Sequence, residues 1–191
     1  MGDDEKKSDE ELALSVQNGD KEAFGILMDR YNAKISRYAK KFLRDNDVIE
    51  DKVQDVFIKA YENIKSFDTK RFFSPWIYRI AHNVFINEIK KKKEFPLSIF
   101  EIDTMFPHLS YTDAEKEIKR DERMKEVVDR GLDKISLKYR EILILYYIEN
   151  LSYKEIAEVL EVPLGTIGIR LKRARESLKK YVPEDLLEDN F

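Results

Sequence analysis

The sequence predicts an all-α protein made of two small helical domains, and three observations carry that prediction. Apolar residues recur at steps of three and four over long stretches, the spacing that lines one face of a helix. Two Ser-x-x-Glu capping boxes, Ser8 with Glu11 and Ser152 with Glu155, mark helix starts. Gly and Pro are scarce, 6 and 5 in 191 residues, while charged residues make up 38%, a composition suited to long solvated helices.

Size and composition bound the rest. An apolar share of 42% over this length is enough for one or two domains with real cores. Without cysteine there is no disulfide and no thiolate metal site, in keeping with a reducing cytosol. The start MGDDEKKSDE is acidic, and no apolar run approaches the roughly 20 residues that span a bilayer. The expectation is a soluble, cytoplasmic protein without membrane insertion.

In chain order, residues 1 to 8 are expected to be disordered. The box at Ser8 opens a short helix that runs to Asn18 and stops at Gly19. Asp20 caps the next helix, whose stripe Phe24, Leu27, Met28, Tyr31, Ile35 and Tyr38 is read as core. After the turn Arg44 to Asp47, a third helix lines one face with Ile49, Val53, Val56, Phe57, Ala60 and Ile64. Its surface carries Glu50, Asp51, Gln54, Asp55, Ile58 and Glu62. These carboxylates invite a di-metal reading, but no Glu-x-x-His pair accompanies them, so a solvated acidic face, or one that docks a basic partner, is favoured.

The stretch Lys65 to Lys93 begins with a Lys-, Asp-, Thr- and Arg-rich loop. Ser74 then reads as a cap and Pro75 as a first helical residue. Beyond them Trp76, Ile80, Asn83, Asn87 and Lys90 fall on one side of a helix. Amides can pair with base edges and aromatic rings can stack on unpaired bases, so this side is a candidate nucleic-acid surface. Residues 94–125, with Pro96 and Pro107, form an irregular linker whose Leu97, Ile99, Phe100, Ile102 and Phe106 are expected to lie on a protein surface. A helical pattern resumes from Asp113, and Ser136 caps a helix bearing Tyr139, Ile142, Leu143 and Tyr146.

From Leu151 to Leu178 the chain reads as two helices around a tight turn. Ser152 caps the first, in which Ile156, Ala157 and Leu160 share a face, and Pro163 marks the start of the second. There Ile167, Leu171, Ala174 and Leu178 recur at helical spacing, leaving Arg170, Lys172, Arg173 and Arg175 outward. This is a helix-turn-helix with a basic second helix, the unit that enters a major groove and grips flanking phosphates.

The net charge of -3 conceals how the charges are placed. Lys70, Arg71, Arg79 and the run Lys90 to Lys93 are opposed only by Glu88, and the last helix is similarly basic. Two basic islands on an acidic chain predict two nucleic-acid contacts, because local field steers a polyanion.

In combination these stretches resemble the sigma-seventy class of bacterial transcription initiation factors, in its two-domain extracytoplasmic-function (ECF) group. The resemblance spans Glu10 to Tyr181. Its N-terminal part is carried by AFGILMDRYNAKI from Ala23, IEDKVQDVFIKAYENIKSF from Ile49 and FSPWIYRIAHNVFINEIKKKK from Phe73; its C-terminal part runs from Leu137 through Leu178. It implies a region 2-like domain at 8–93, a linker at 94–125 and a region 4-like domain at 126–181.

The function implied is that of a dissociable sigma subunit, a transcription initiation factor rather than an enzyme. Its implied partners are core RNA polymerase, through the β′ clamp helices and the β flap, promoter DNA, and an anti-sigma factor; no cofactor or metal is implied. Asp51, Gln54, Asp55 and Ile58 would hold the polymerase. Lys70, Arg71, Trp76, Asn83, Asn87 and Lys90 would read the melted minus-ten element, with the loop Lys65 to Arg71 receiving a base turned out of the stack. Thr166, Gly168, Ile169, Arg170, Lys172 and Arg173 would meet the duplex minus-thirty-five element.

The sequence departs from the family pattern at Gly168 and Ile169, where a cation and a hydroxyl are usual, at Glu161, where Gly often turns the chain, and at Ser74 and Pro75. Gly168 and Ile169 bring no side-chain hydrogen-bond donor, although Ile169 can touch a thymine methyl. The alternatives are a stand-alone helix-turn-helix regulator, which would bind duplex without polymerase, and a helical enzyme. Against the enzyme, His82 and His108 are the only histidines and there is no phosphate-cradling Gly loop.

Overall fold

The computed structural model describes residues 7–91 and 127–182, and among these it is helical with no strand. The helices are α1 (Asp9–Gln17), α2 (Lys21–Ala39), α3 (Asn46–Asn63) and α4 (Phe73–Lys91), then α5 over residues 127–134, α6 (Leu137–Leu143), α7 (Tyr153–Leu160) and α8 (Leu164–Lys179). A 3₁₀ turn, Ile64–Ser66, follows α3. The linker and the stretch from Asp113 to Lys125 lie outside the described residues.

The chain divides into two compact units, one of residues 1–95 with 151–163, the other of 96–150 with 164–191. Tyr153–Leu160 thus groups with the N-terminal helices, because it packs on α4, whereas the sequence alone places it within 126–181.

In the first unit α1, α2, α3 and α4 pack on one another around Leu12, Leu27, Tyr31, Ile35, Tyr38, Val56, Phe73, Ile77 and Phe85. Each fully buried aliphatic or Phe side chain contributes roughly 1.5–3 kcal/mol relative to exposure. The starts follow the sequence rules. Ser8 Oγ accepts the Glu11 N–H at 3.1 Å while Glu11 accepts the Ser8 N–H at 2.7 Å. Asp20 and Asp45 cap α2 and α3 through two backbone N–H groups each. Gly19 ends the α1 segment with φ +102°, a conformation glycine reaches without a Cβ penalty.

Two expectations need correction here. Met28 is 39% exposed and does not belong to the core stripe. Ser74 is not a cap: α4 already begins at Phe73, whose N–H donates to Glu10 Oε1 of α1 at 2.9 Å. A carboxylate 63 residues away therefore meets the open N-terminus of α4, where negative charge is favoured. Pro75 is tolerated because a first-turn N–H has no helical partner to lose. Tyr31, buried between α1 and α4, donates its hydroxyl to Asp9 Oδ2 at 2.6 Å, and Arg30 pairs with the same carboxylate at 2.7 Å. Burial first, then Asp9, push the Tyr31 phenol far above its ordinary range.

In α7, Ile156 and Val159 are fully buried, with Ala157 and Leu160 half-buried, so Val159 replaces the expected Leu160 at the centre of the packed face. Glu161 then takes a left-handed conformation, φ 53° and ψ 44°, which stores roughly 1–2 kcal/mol for a residue with a Cβ.

The second unit packs α6 on α8 around Ile142, Leu145, Ile167, Leu171, Ala174 and Leu178. Arg140 ties α6 to the end of α5, donating to Leu132 O at 2.7 Å and Asp133 O at 2.8 Å and pairing with the Asp133 carboxylate at 3.1 Å. Gly131 allows the close fit of α5, since a Cβ there would stand 2.9 Å from Leu178 Cδ1 and that side chain would have to shift. Ser136 occupies the cap position of α6, but its hydroxyl makes no capping bond and is buried without a partner. The regular helix also ends earlier than the sequence suggests. It widens into a π-turn over Ile144–Ile148, which leaves Tyr146 half-buried beside Tyr147.

Candidate nucleic-acid interface

The loop from α3 to α4 is held by a residue that sequence reasoning passed over. Gln17, at the end of α1, donates both amide hydrogens across to the loop, to Ile64 O at 2.7 Å and Phe67 O at 2.8 Å. The loop then turns tightly: Asp68 accepts the Lys70 N–H on its side chain at 3.0 Å and the Arg71 N–H on its carbonyl at 2.9 Å.

Between this loop and the start of α4 lies a cleft of about 220 Å³, lined by Ser66, Phe67, Asp68, Arg71, Phe72, Pro75, Trp76, Arg79 and Glu158. Trp76 lines it, packed obliquely against Phe67 at 5.1 Å and Phe73 at 5.3 Å. Phe72, 70% exposed, also lines it. An exposed Phe inside a Lys- and Arg-rich loop is the signal that could have named it in advance. Arg71 pairs with Glu158 at 2.7 Å, and Arg79 approaches Glu161 at 4.0 Å.

A second recess, of about 570 Å³, runs between α3 and α4. Asn83, Asn87, Lys90 and Lys91 enter it from α4, Lys52, Asp55, Lys59, Glu62 and Asn63 from α3. The helix side read as continuous is thus divided between two recesses. Trp76 faces the aromatic cleft with Arg71, whereas Ile80, Asn83, Asn87 and Lys90 face the amide groove, and Lys70 lies exposed on the loop outside both linings. Asn83, Asn87 and Lys90 are exposed, so their hydrogen-bonding groups are presented outward.

On α3, Asp51 and Gln54 are exposed, Asp55 is half-buried and Ile58 is 55% exposed. An exposed isoleucine among acids gives this face an apolar centre. On α8, Lys172 and Arg173 are exposed, Arg170, Thr166 and Gly168 half-buried, and Ile169 exposed. Lys172 stands 4.0 Å from Glu176, a loose i,i+4 pair. Among the described residues no three acidic, His or Cys side chains gather as a metal site, and no helix is long and apolar enough to cross a membrane.

The described residues thus form a helical protein with two recesses along α4 in its first unit and a basic helix, α8, in its second, an architecture of the kind found in nucleic-acid-binding proteins. Residues 27–95 match the family Sigma-70 region 2, and residues 125–178 match Sigma-70, region 4. The chain is 36% identical over 176 residues to the ECF RNA polymerase sigma factor SigW of Bacillus subtilis, covering 87% of this chain and 92% of that protein. It is 32% identical over 185 residues to the ECF RNA polymerase sigma-E factor of Escherichia coli K12, covering 93% and 96%. In the solved structure of CnrH in complex with the cytosolic domain of CnrY, a chain 26% identical superposes with a TM-score of 0.66, covering 97% of this chain and all of that one. The protein therefore belongs to the sigma-70 family, as a transcription initiation factor of the ECF group.

Proposed function

We propose that this protein docks on core RNA polymerase through Asp51, Gln54, Asp55 and Ile58, captures the melted minus-ten element on the α3–α4 side of its first unit, and places α8 in the duplex minus-thirty-five groove. The observation that carries this reading is the pair of recesses on one side of α4. The aromatic-walled cleft at Trp76, Phe67 and Phe72 suits a base that has left the stack, since stacking on an aromatic ring is worth about 1–3 kcal/mol per base. The neighbouring groove offers Asn83 and Asn87 to base edges, with lysines for the strand's phosphates.

Extruding a base costs a few kcal/mol, so capture must accompany melting. The protein works by binding alone and breaks no bond. It acts in the cytoplasm, where core enzyme and promoters are found, and an anti-sigma protein would compete for the same exposed surfaces. Residues 126–181 act together as the region 4 domain. In that domain Lys172 and Arg173 hold phosphates, Arg170 and Ile169 meet base edges, and Thr166 and Gly168 let the helix start approach the backbone.

Run-off transcription tests the reading. Core enzyme with this chain should give discrete transcripts from cognate promoters, and core enzyme alone should not. Equal footprints on promoter duplex with and without core enzyme would instead identify a stand-alone regulator.

A further inference from the structure

One cation on α3 belongs to both surfaces of the first unit. Lys52 Nζ lies 2.7 Å from Asp51 Oδ2 and 2.7 Å from Asp55 Oδ2, yet its side chain, 17% exposed, also lines the α3–α4 groove with Asn83 and Asn87. From sequence, this stretch reads as an acidic face. In the structure a lysine inside that face pairs with two of its carboxylates and offsets one of their two charges.

We propose that Lys52 is a DNA-strand-binding residue held in reserve by Asp51 and Asp55 and released into the groove when polymerase takes those carboxylates. This rests on the docking role given to Asp51 and Asp55 above. A basic partner surface that pairs with them removes the two groups that hold the ammonium, and a four-carbon stem already lying along the groove needs only to turn its head.

The groove's charge then changes in the direction that favours a polyanion. Among the described lining residues, four lysines, Lys52, Lys59, Lys90 and Lys91, face three carboxylates, Asp55, Glu62 and Glu88. Once Asp55 is engaged from outside, four face two, and the net positive charge of the lining doubles beside the two amides. Hydrogen bonds from Lys52 to Asp51 and then Asp55 also raise its pKa above the ordinary lysine range, so the ammonium carries its charge at every physiological pH.

The test compares wild type with Lys52→Met, Lys52→Gln and Lys52→Arg. Free protein and holoenzyme are each titrated by fluorescence anisotropy with a labelled single strand carrying the minus-ten element of a promoter that the wild-type holoenzyme transcribes. In holoenzyme, Lys52→Met and Lys52→Gln are expected to bind the strand about three- to tenfold more weakly, with the log–log salt slope shallower by about 0.7, the value for one phosphate of a single strand. Lys52→Arg should bind as wild type does. In free protein all four should bind the strand alike. Core affinity of the Met and Gln variants should stay level or rise by up to about fivefold, the range that a partly exposed ion pair can withhold.

Met and Gln holoenzymes that bind the strand as wild type does would overturn the proposal. So would an equal loss in free protein and holoenzyme, because the cation would then never have been withheld. If the wild-type chain itself fails to bind core enzyme, the docking role falls first and this proposal with it, a result distinct from either of the others.

Discussion

Replacing Gln17 tests whether the aromatic cleft is held open from beneath. The side chain touches no surface assigned to DNA or polymerase, yet its amide donates to two carbonyls, Ile64 O and Phe67 O, that begin the loop over Trp76. Gln17→Leu keeps the bulk and removes both donors. Each hydrogen bond contributes about 1 kcal/mol net, and a part-buried carbonyl left without a donor loses somewhat more, so the first unit should lose roughly 2 kcal/mol. With a urea m-value of about 2 kcal/mol/M, the unfolding midpoint should fall by about 1 M. Gln17→Glu is harsher, because at neutral pH it places an acceptor-only carboxylate against two carbonyl oxygens. In holoenzyme, anisotropy with a minus-ten single strand should show weaker binding for both variants while core affinity is unchanged, because α3 keeps its own packing. A variant that loses stability but binds the strand normally would refute the link from Gln17 to the cleft. One that loses neither would refute the hydrogen bonds as a structural support.

Three further outcomes follow from the same geometry. Because burial and Asp9 hold the Tyr31 phenol neutral in the folded state, its stabilising effect is complete below the unfolded tyrosine pKa of about 10 and is lost as pH rises above it; urea melts from pH 8 to 11 should show an alkaline decline that Tyr31→Phe flattens, at the cost of the bond to Asp9. Gly165→Ala should raise stability by about 0.5–1 kcal/mol in thermal melts, since a Cβ there meets nothing within 4 Å and Ala is the better helix former. Asn83→Ala with Asn87→Ala should reduce discrimination between cognate and scrambled minus-ten strands, whereas Trp76→Ala should weaken both alike, as stacking tolerates any base; competition titrations with the two strands separate these outcomes.

The parts that the sequence disclosed are those written within a few residues of each other. Both capping boxes, the Asp20 cap, the stop at Gly19 and the start after Pro163 involve partners three residues away or fewer, so spacing alone reveals them. What it could not disclose were partners brought together by packing. Ser74 carries every local mark of a cap, but Glu10 reaches the α4 terminus first because α1 lies across it. Gln17 has no periodic signature, and its two acceptors lie 47 and 50 residues away. Met28 keeps the helical spacing of the α2 stripe yet sits at its edge, where its side chain is only partly covered. Lys52 is hidden for a different reason: in the sequence it is a single cation among carboxylates, and only the folded helix shows it pairing with two of them.

The division of the α4 surface has a physical logic of its own. Trp76 and Lys90 are separated by fourteen residues, about 21 Å along a helix, too far to act on one nucleotide. Stacking and edge recognition also ask for different surroundings. A stacked base needs a rigid apolar wall, which Phe67, Phe73 and Trp76 supply by packing on each other near the well-packed start of α4. Amides that read edges must stay wet until the base arrives, and Asn83 and Asn87 remain exposed along the open groove farther down the helix. Under the proposed function, a single rigid helix therefore fixes the spacing between a cleft that would accept any base and a groove that would choose among them. Residues that hold the helix in place, Glu10 at its start and Gln17 beneath its loop, act on both without touching either.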